Sequence, residues 1–328
     1  MRKVNLIGFE LDEKRWGRGT IASRGESLAP QLGAVKIGAG LYEADAGRWI
    51  WPYHYHHGVE EWLYVVSDAP VLRDPHGERT LASGDFVCFP SGPVGAHTVA
   101  GPGRFVMFSA GGWPDETSLA VYPDSDKIGA RPADHGVDNL NFRRQDAVGY
   151  WYGEGSEEPV AAPEIRRSPL PKGRQAVVNV DDVDLAAFPS AQTPEGFRGR
   201  VGRFGPLLGS ERLGATLFEL DPGEGSAPYH YEHTREEWLL VLAGVPILRH
   251  PDGEDQLSEG DVVCFPAGPA GAHRVLNRGA EVVRGIFFSS MEFPYVTEYP
   301  NSGKLLVKYS RELPAAMFRV SETVGYWD

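Results

Sequence analysis

An internal duplication constrains this chain more than any other feature: shifting the sequence by 176 residues lays its first half on its second. Pro52 to Val66 (PYHYHHGVEEWLYVV) matches Pro228 to Leu242 (PYHYEHTREEWLLVL) at 10 of 15 positions, and Gly84 to His97 (GDFVCFPSGPVGAH) matches Gly260 to His273 (GDVVCFPAGPAGAH) at 11 of 14. Both copies end alike, in Val148-Gly149-Tyr150-Trp151 and Val324-Gly325-Tyr326-Trp327. The 328 residues therefore divide into two domains, each long enough to bury its own core. Gly153 to Arg174 is rich in Pro, Glu and Arg and lacks apolar periodicity, which reads as an extended linker between domains at 1–152 and 175–328.

Within each copy the apolar runs are short, rich in Val, Leu, Phe and Trp, and punctuated by Gly, Pro and Asp every 8 to 12 residues or so, the pattern of all-β sandwiches and barrels. Leu63 to Val66, Val71 to Arg73, Asp85 to Phe89 and Phe105 to Ser109 are the clearest strands, with hairpin signals at Asp74-Pro75-His76-Gly77 and Pro251-Asp252-Gly253. Helix is expected only in short pieces, around Asp181 to Phe188 and near the end of each copy.

Seven of the ten histidines fall in the repeated motifs: His54, His56, His57 and His97, then His230, His233 and His273. Side chains two apart on a strand share a face, so His54 and His56 can point into one volume while Tyr55 points away. The same parity sends Glu61 inward with Leu63 and Val65, and directs Glu60 toward the rim or solvent. His97 follows a glycine-rich bend, Pro90 to Ala96, that lets the backbone return to the same volume. Three imidazoles and one carboxylate result.

The pattern His54-x-His56-x4-Glu61, followed by Gly84-Asp85, Pro90-x-Gly92 and His97, resembles the two sequence motifs of the cupin superfamily, and both copies carry it. The resemblance implies an all-β chain of two jelly-roll (double-stranded β-helix) barrels in tandem, a bicupin. It also implies a group that spans decarboxylases, dioxygenases, isomerases and storage or binding proteins. Tyr122-Pro123-Asp124-Ser125-Asp126-Lys127 and its echo Tyr299-Pro300-Asn301-Ser302-Gly303-Lys304 resemble a tail of small bacterial cupins of uncertain function. Three neutral imidazoles and a carboxylate around a dication leave a net charge of about +1 and two open octahedral positions, which suits Mn or Fe and accommodates Ni, Co or Zn.

The second copy departs from the first. Glu232 stands where the first copy has His56, before Glu237 and with His230 and His273 conserved in position. Either Glu232 is a ligand, giving a harder, more anionic set that favours Mn or Mg, or it pairs with a neighbour such as Arg249 and the site is degenerate. His233 lies one step along the strand, on the opposite face. Arg73 and Arg249, repeated on a strand, are candidates to clamp a substrate carboxylate if they face inward, and ordinary solvated or interface residues if they face outward. Glu60 and Glu236, beside the candidate ligands, are candidate acids or bases.

Acidic residues outnumber basic ones, 45 to 32, with no basic run, so nucleic acid is not an expected partner. Met1 to Glu10 has neither the apolar core of a signal nor that of a span, which places the chain in the cytoplasm away from membranes. Cys88 and Cys264 occupy matching apolar runs and read as buried reduced thiols. The expectation is a metal-dependent enzyme, monomeric or homodimeric, acting on a small oxygen-rich acid or enol by oxygenation or decarboxylation. Its alternative is a bicupin that binds a metal or a small sugar or acid without turnover.

Overall fold

In the computed structural model, residues 1–12, 16–110, 118–131, 140–149, 152, 169–170, 175–187 and 193–327 are described. The region read as a linker lies almost wholly outside them, as do Tyr150 and Trp151. Every pairing between named strands is antiparallel, and the chain forms two seven-stranded sheets, two four-stranded sheets and two three-stranded sheets. Among the described residues the one α-helix is Ala29–Leu32. The helical pieces expected from the sequence are single 3-10 turns at Arg144–Asp146, Val180–Asp182 and Val320–Glu322. No helix among them is long and apolar enough to cross a membrane.

Alternation on the strands Glu60–Asp68 and Glu237–Ala243 divides the molecule into three cores. Trp62 and Tyr64 face away from the first barrel, Trp238 and Leu240 away from the second, and all four join one core with Leu41, Phe86, Phe108, Phe204, Leu217 and Phe288. Trp62 meets Phe288 edge-on at 6.4 Å between ring centroids, and Trp238 meets Phe108 at 6.0 Å. The opposite parity fills each barrel: Leu63, Val65, Val87 and Phe89 in the first, Leu239, Val241, Val263 and Phe265 in the second. The two large sheets thus pack face to face across a shared core.

The barrels also exchange strands. Lys3–Asn5 pairs with Asp261–Phe265 at the edge of the second barrel's large sheet, while Val177–Asn179 pairs with Asp85–Phe89 at the edge of the first. In each case the Asp of the repeated Gly-Asp motif holds the incoming strand: Asn5 Nδ2 donates to Asp261 at 3.0 Å and Asn179 Nδ2 to Asp85 at 2.8 Å. An edge left open invites pairing with another chain, and here the other half of the same chain covers it.

Glu60 does not face the rim or solvent. It is 2% exposed and reaches into the second half, where its carboxylate accepts from the backbone N–H groups of Glu211, Arg212 and Leu213 and from Ser210 Oγ. Glu236, 1% exposed, accepts reciprocally from the N–H groups of Val35, Lys36 and Ile37. Each also accepts from the indole two residues on, Trp62 and Trp238. Glu60 does point away from its own barrel, as strand parity requires, but the second barrel packs there and turns that outward face into a buried one. These carboxylates are fully used as inter-barrel ties, so neither is a free acid or base. Replacing either with Ala leaves a buried backbone N–H, a buried indole N–H and two part-buried N–H groups without that acceptor, and should cost on the order of 3 kcal/mol, seen as a lowered midpoint in urea unfolding.

Candidate metal centres

In the first barrel, His54 and His97 face each other across a two-bond bridge, with N···O distances of 3.1 and 2.8 Å. His56 lies on Tyr55–His57 and Glu61 at the start of the Glu60 strand. The bend before His97 closes because Gly95 has no side chain: a Cβ there would stand 2.0 Å from the carbonyl oxygen of Pro90, and at Gly271 it would stand 1.9 Å from that of Pro266. Nε2 of His56 and of His97 lie 3.5 and 3.6 Å from Glu61 Oε2, and the His54 ring centroid lies 4.8 Å from those of both His56 and His97. Donor atoms of His54, His56 and Glu61 all fall within 4.8 Å of one another.

The second barrel repeats this with three residues. Donor atoms of His230, Glu237 and His273 lie within 4.8 Å of one another, with Glu237 Oε2 3.5 Å from His230 Nε2 and 3.8 Å from His273 Nε2. Glu232 Oε1 accepts from Thr297 Oγ1 at 2.6 Å, and Glu232 is not in that group. Its neighbour is Thr297 rather than Arg249.

The backbone sets the state of four imidazoles. Nδ1 of His54, His97, His230 and His273 lies 2.8–2.9 Å from the carbonyl oxygens of Pro52, Gly95, Pro228 and Gly271. A carbonyl can only accept, so Nδ1 carries a proton; burial then leaves Nε2 of His54, His97 and His273 with a lone pair toward the cluster, while Nε2 of His230 faces Glu237 Oε2. Nε2 of His97 and His273 and Oε2 of Glu237 are buried with no hydrogen-bond partner. Buried lone pairs converging without protons between them are what a dication would satisfy. Phe89 and Phe265 stack on His97 and His273 at 3.7 Å and fix the ring planes.

Burial pushes His97 and His273 down to about 4 and holds His54 well below the usual range, reinforced for His54 by the charges of His97 and His56. For His230 burial acts the same way, but Glu237 outweighs it and the imidazole titrates above its ordinary value. Glu237 is correspondingly held low by His230, His273 and Arg235 despite its burial. Burial, then the charge of Glu237, pushes Glu232 up to about 7. A histidine with a depressed pKa in the folded state binds fewer protons than when unfolded, so its contribution to stability is present above about 6.5 and is lost as pH falls toward 4. The metal-free protein should therefore lose melting temperature steadily over that interval, with a shallower slope in a His97→Gln, His273→Gln double variant; equal slopes would contradict the assignment.

The repeated tail closes both clusters. Tyr122 stacks on His54 at 5.9 Å and Tyr299 on His230 at 5.8 Å. Two residues on, Asp124 takes the fork of Arg73 at 2.6 and 2.9 Å, and Asn301 meets Arg249 at 3.5 Å. Each arginine also lies over a tyrosine, Tyr53 at 4.2 Å and Tyr229 at 4.3 Å. Arg73 thus ties the tail to its barrel, and Arg249 lines an outer cleft with Glu254, Arg274 and Arg278. Cys88 and Cys264 are buried free thiols whose pKa burial pushes well above the ordinary range.

Between the barrels the clusters differ in their surroundings. The second opens into a cavity of about 310 Å³ lined by Val201, Arg203, Thr216, Phe218, Phe287 and the His230, Glu237, His273 group, among others. At the corresponding interior positions of the first barrel, Tyr42 stands for Phe218 and Trp51 for Ala227. Trp51 packs edge-on to Tyr42 at 5.0 Å and to His54 at 5.8 Å. Arg235, at the place of Val59, is buried beside the second cluster, lies over Tyr295 at 3.4 Å and donates to the carbonyl of Glu292. The sequence reading missed Tyr42, Trp51 and Arg235; the signal was a mismatch, at the 176-residue offset, in positions flanking a conserved motif.

A fold of two antiparallel barrels with histidine clusters at matching places defines a bicupin, and the comparisons agree. The Cupin domain family matches residues 216–289. Two solved structures of Bacillus subtilis oxalate decarboxylase, one a deletion mutant and one from work on its Mn(II) centres, are 14% and 13% identical to this chain. Each match covers 92% of this chain and 80% of the other, with a TM-score of 0.51. A putative sugar phosphate isomerase from Acidithiobacillus ferrooxidans is 24% identical over 44% of this chain and 91% of its own, with a TM-score of 0.40. No curated protein matches. Residues 216–289 thus match the Cupin domain family, and the chain as a whole shares the two-barrel fold of the oxalate decarboxylase structures.

Proposed function

We propose that this chain is a metal-dependent bicupin acting on a small oxygen-rich organic acid or enol, by a reaction of the dioxygenase or decarboxylase type. The first barrel holds a divalent ion through His54, His56, Glu61 and His97, and the second through His230, Glu237 and His273. The observation that carries this reading is the convergence of donor atoms within 4.8 Å in each barrel, His54, His56 and Glu61 in the first and His230, Glu237 and His273 in the second, with Nε2 of His97 and of His273 and Oε2 of Glu237 and of Glu232 buried and unpartnered beside them. Two histidines and one carboxylate leave coordination positions open, the donor set suited to non-haem iron, and three histidines with one carboxylate suit manganese as well. Manganese is the first ion to load, because the two-barrel oxalate decarboxylase carries Mn(II) centres.

A bound ion would supply Lewis acidity, or redox chemistry if it is Fe or Mn. The chain's own contribution is to orient the imidazoles through the carbonyls of Pro52, Gly95, Pro228 and Gly271, to keep His54, His97 and His273 neutral by burial, and to wall the second cluster with Phe287 and Phe218. The cavity beside His230 and Glu237 makes the second barrel the place for a substrate.

Protein purified without chelator or metal-affinity resin should carry about two ions per chain by plasma mass spectrometry, and His54→Ala and His273→Ala should each remove about one. Full metal content in both variants would refute the ligand sets. Binding of small acids by the loaded protein without any product would select the non-catalytic alternative.

A further inference from the structure

The cavity of the second barrel has a cation that no part of the metal centre uses. Gly199–Arg203 runs antiparallel to Leu213–Leu220, with Val201 opposite Phe218 and Arg203 opposite Thr216. Val201 and Phe218 belong to the barrel's interior, so Arg203, two residues from Val201, projects on the same face and lines the same cavity as His230, Glu237 and His273. Its side chain is exposed to that space, and its guanidinium has no hydrogen-bond or ion-pair partner among the described residues.

The other arginines nearby are committed. Arg200 also lines the cavity, but its guanidinium is held by Glu219 at 3.1 Å and by Asp221 at 3.1 and 3.2 Å. Arg235 is buried and bonded to the Glu292 carbonyl. At the first barrel's equivalent of Arg203 stands Ser27, opposite Gly40, and the Tyr42 ring lies so close over Gly40 that a Cβ there would be 2.6 Å from its hydroxyl. The free cation and the open space thus occur together, and in the same barrel.

We propose that Arg203 is the anion anchor of the second barrel, selecting small metal-chelating acids that carry a second anionic group, a carboxylate or a phosphate, at the end away from the metal. This rests on the reading of His230, Glu237 and His273 as a metal centre. A guanidinium presents a planar fork matched to either group, and the apolar walls of Val201, Phe218 and Phe287 strengthen that attraction by excluding water. A cavity of about 310 Å³ suits a small metabolite of this kind.

Three probes share a 2-hydroxy acid end and differ only in the tail: lactate, malate and 3-phosphoglycerate. Titration calorimetry of the full manganese-loaded chain should show malate or 3-phosphoglycerate binding at least about tenfold tighter than lactate, and the tighter of the two identifies the tail. Arg203→Ala should bring that ligand down to the affinity of lactate without changing the metal content, and Arg203→Lys should keep part of the preference. Equal binding of the three probes by the wild-type chain, or a preference that survives in Arg203→Ala, overturns the anchor. Metal content tests the other reading separately: a His273→Ala chain that keeps every ion refutes the centre, whereas loss of one ion in His273→Ala together with no tail preference in the wild-type chain refutes only Arg203.

Discussion

Strict alternation of side chains along two strands organises this molecule. In Glu60-Glu61-Trp62-Leu63 and Glu236-Glu237-Trp238-Leu239, one parity supplies the carboxylate that faces the histidine cluster and the barrel interior, and the other supplies the inter-barrel tie and the shared aromatic core. A slip of one residue would exchange these roles and bury nothing correctly. The adjacent glutamates therefore do opposite work: Glu61 and Glu237 keep oxygen atoms available to the histidine clusters, while Glu60 and Glu236 are saturated by backbone N–H groups of the other half.

The pairing of halves is as built-in as the barrels. Each carboxylate tie and each exchanged edge strand has its counterpart at the pseudo-symmetric place, and the Trp62–Phe288 contact has its own in Trp238–Phe108. Neither half satisfies its own edge or its own glutamate. The barrels are folded as a couple, and the geometry of each cluster inherits its rigidity from the sheet that packs against the other.

Within this symmetry the two interiors have diverged. His56 has become Glu232 in the second barrel, where Thr297 holds one of its oxygens, and Trp51 has become Ala227 beside an open cavity. The first barrel keeps more nitrogen donors with aromatic rings packed close to them. The second has fewer nitrogen donors beside a cavity of about 310 Å³, with Arg203 on its wall. The frame of the clusters is the same in both halves, and the residues that differ change what can stand next to them.

The sequence alone was enough for the repeat, the all-β class, the inward parity of Glu61 and the grouping of His54, His56 and His97, because each depends on periodicity or spacing within one segment. Glu60 was misplaced, and the strand exchange, the Asp124 partner of Arg73 and the Thr297 partner of Glu232 were not legible, because each joins segments between about 50 and 260 residues apart. Arg203 was visible only as one of several arginines among glycines. Its place across from Thr216, on the cavity face, was decided by the register of two strands and by the small residue at 227 that left the interior open. Local pattern determines which way a side chain points from its own strand; only packing determines what it meets there.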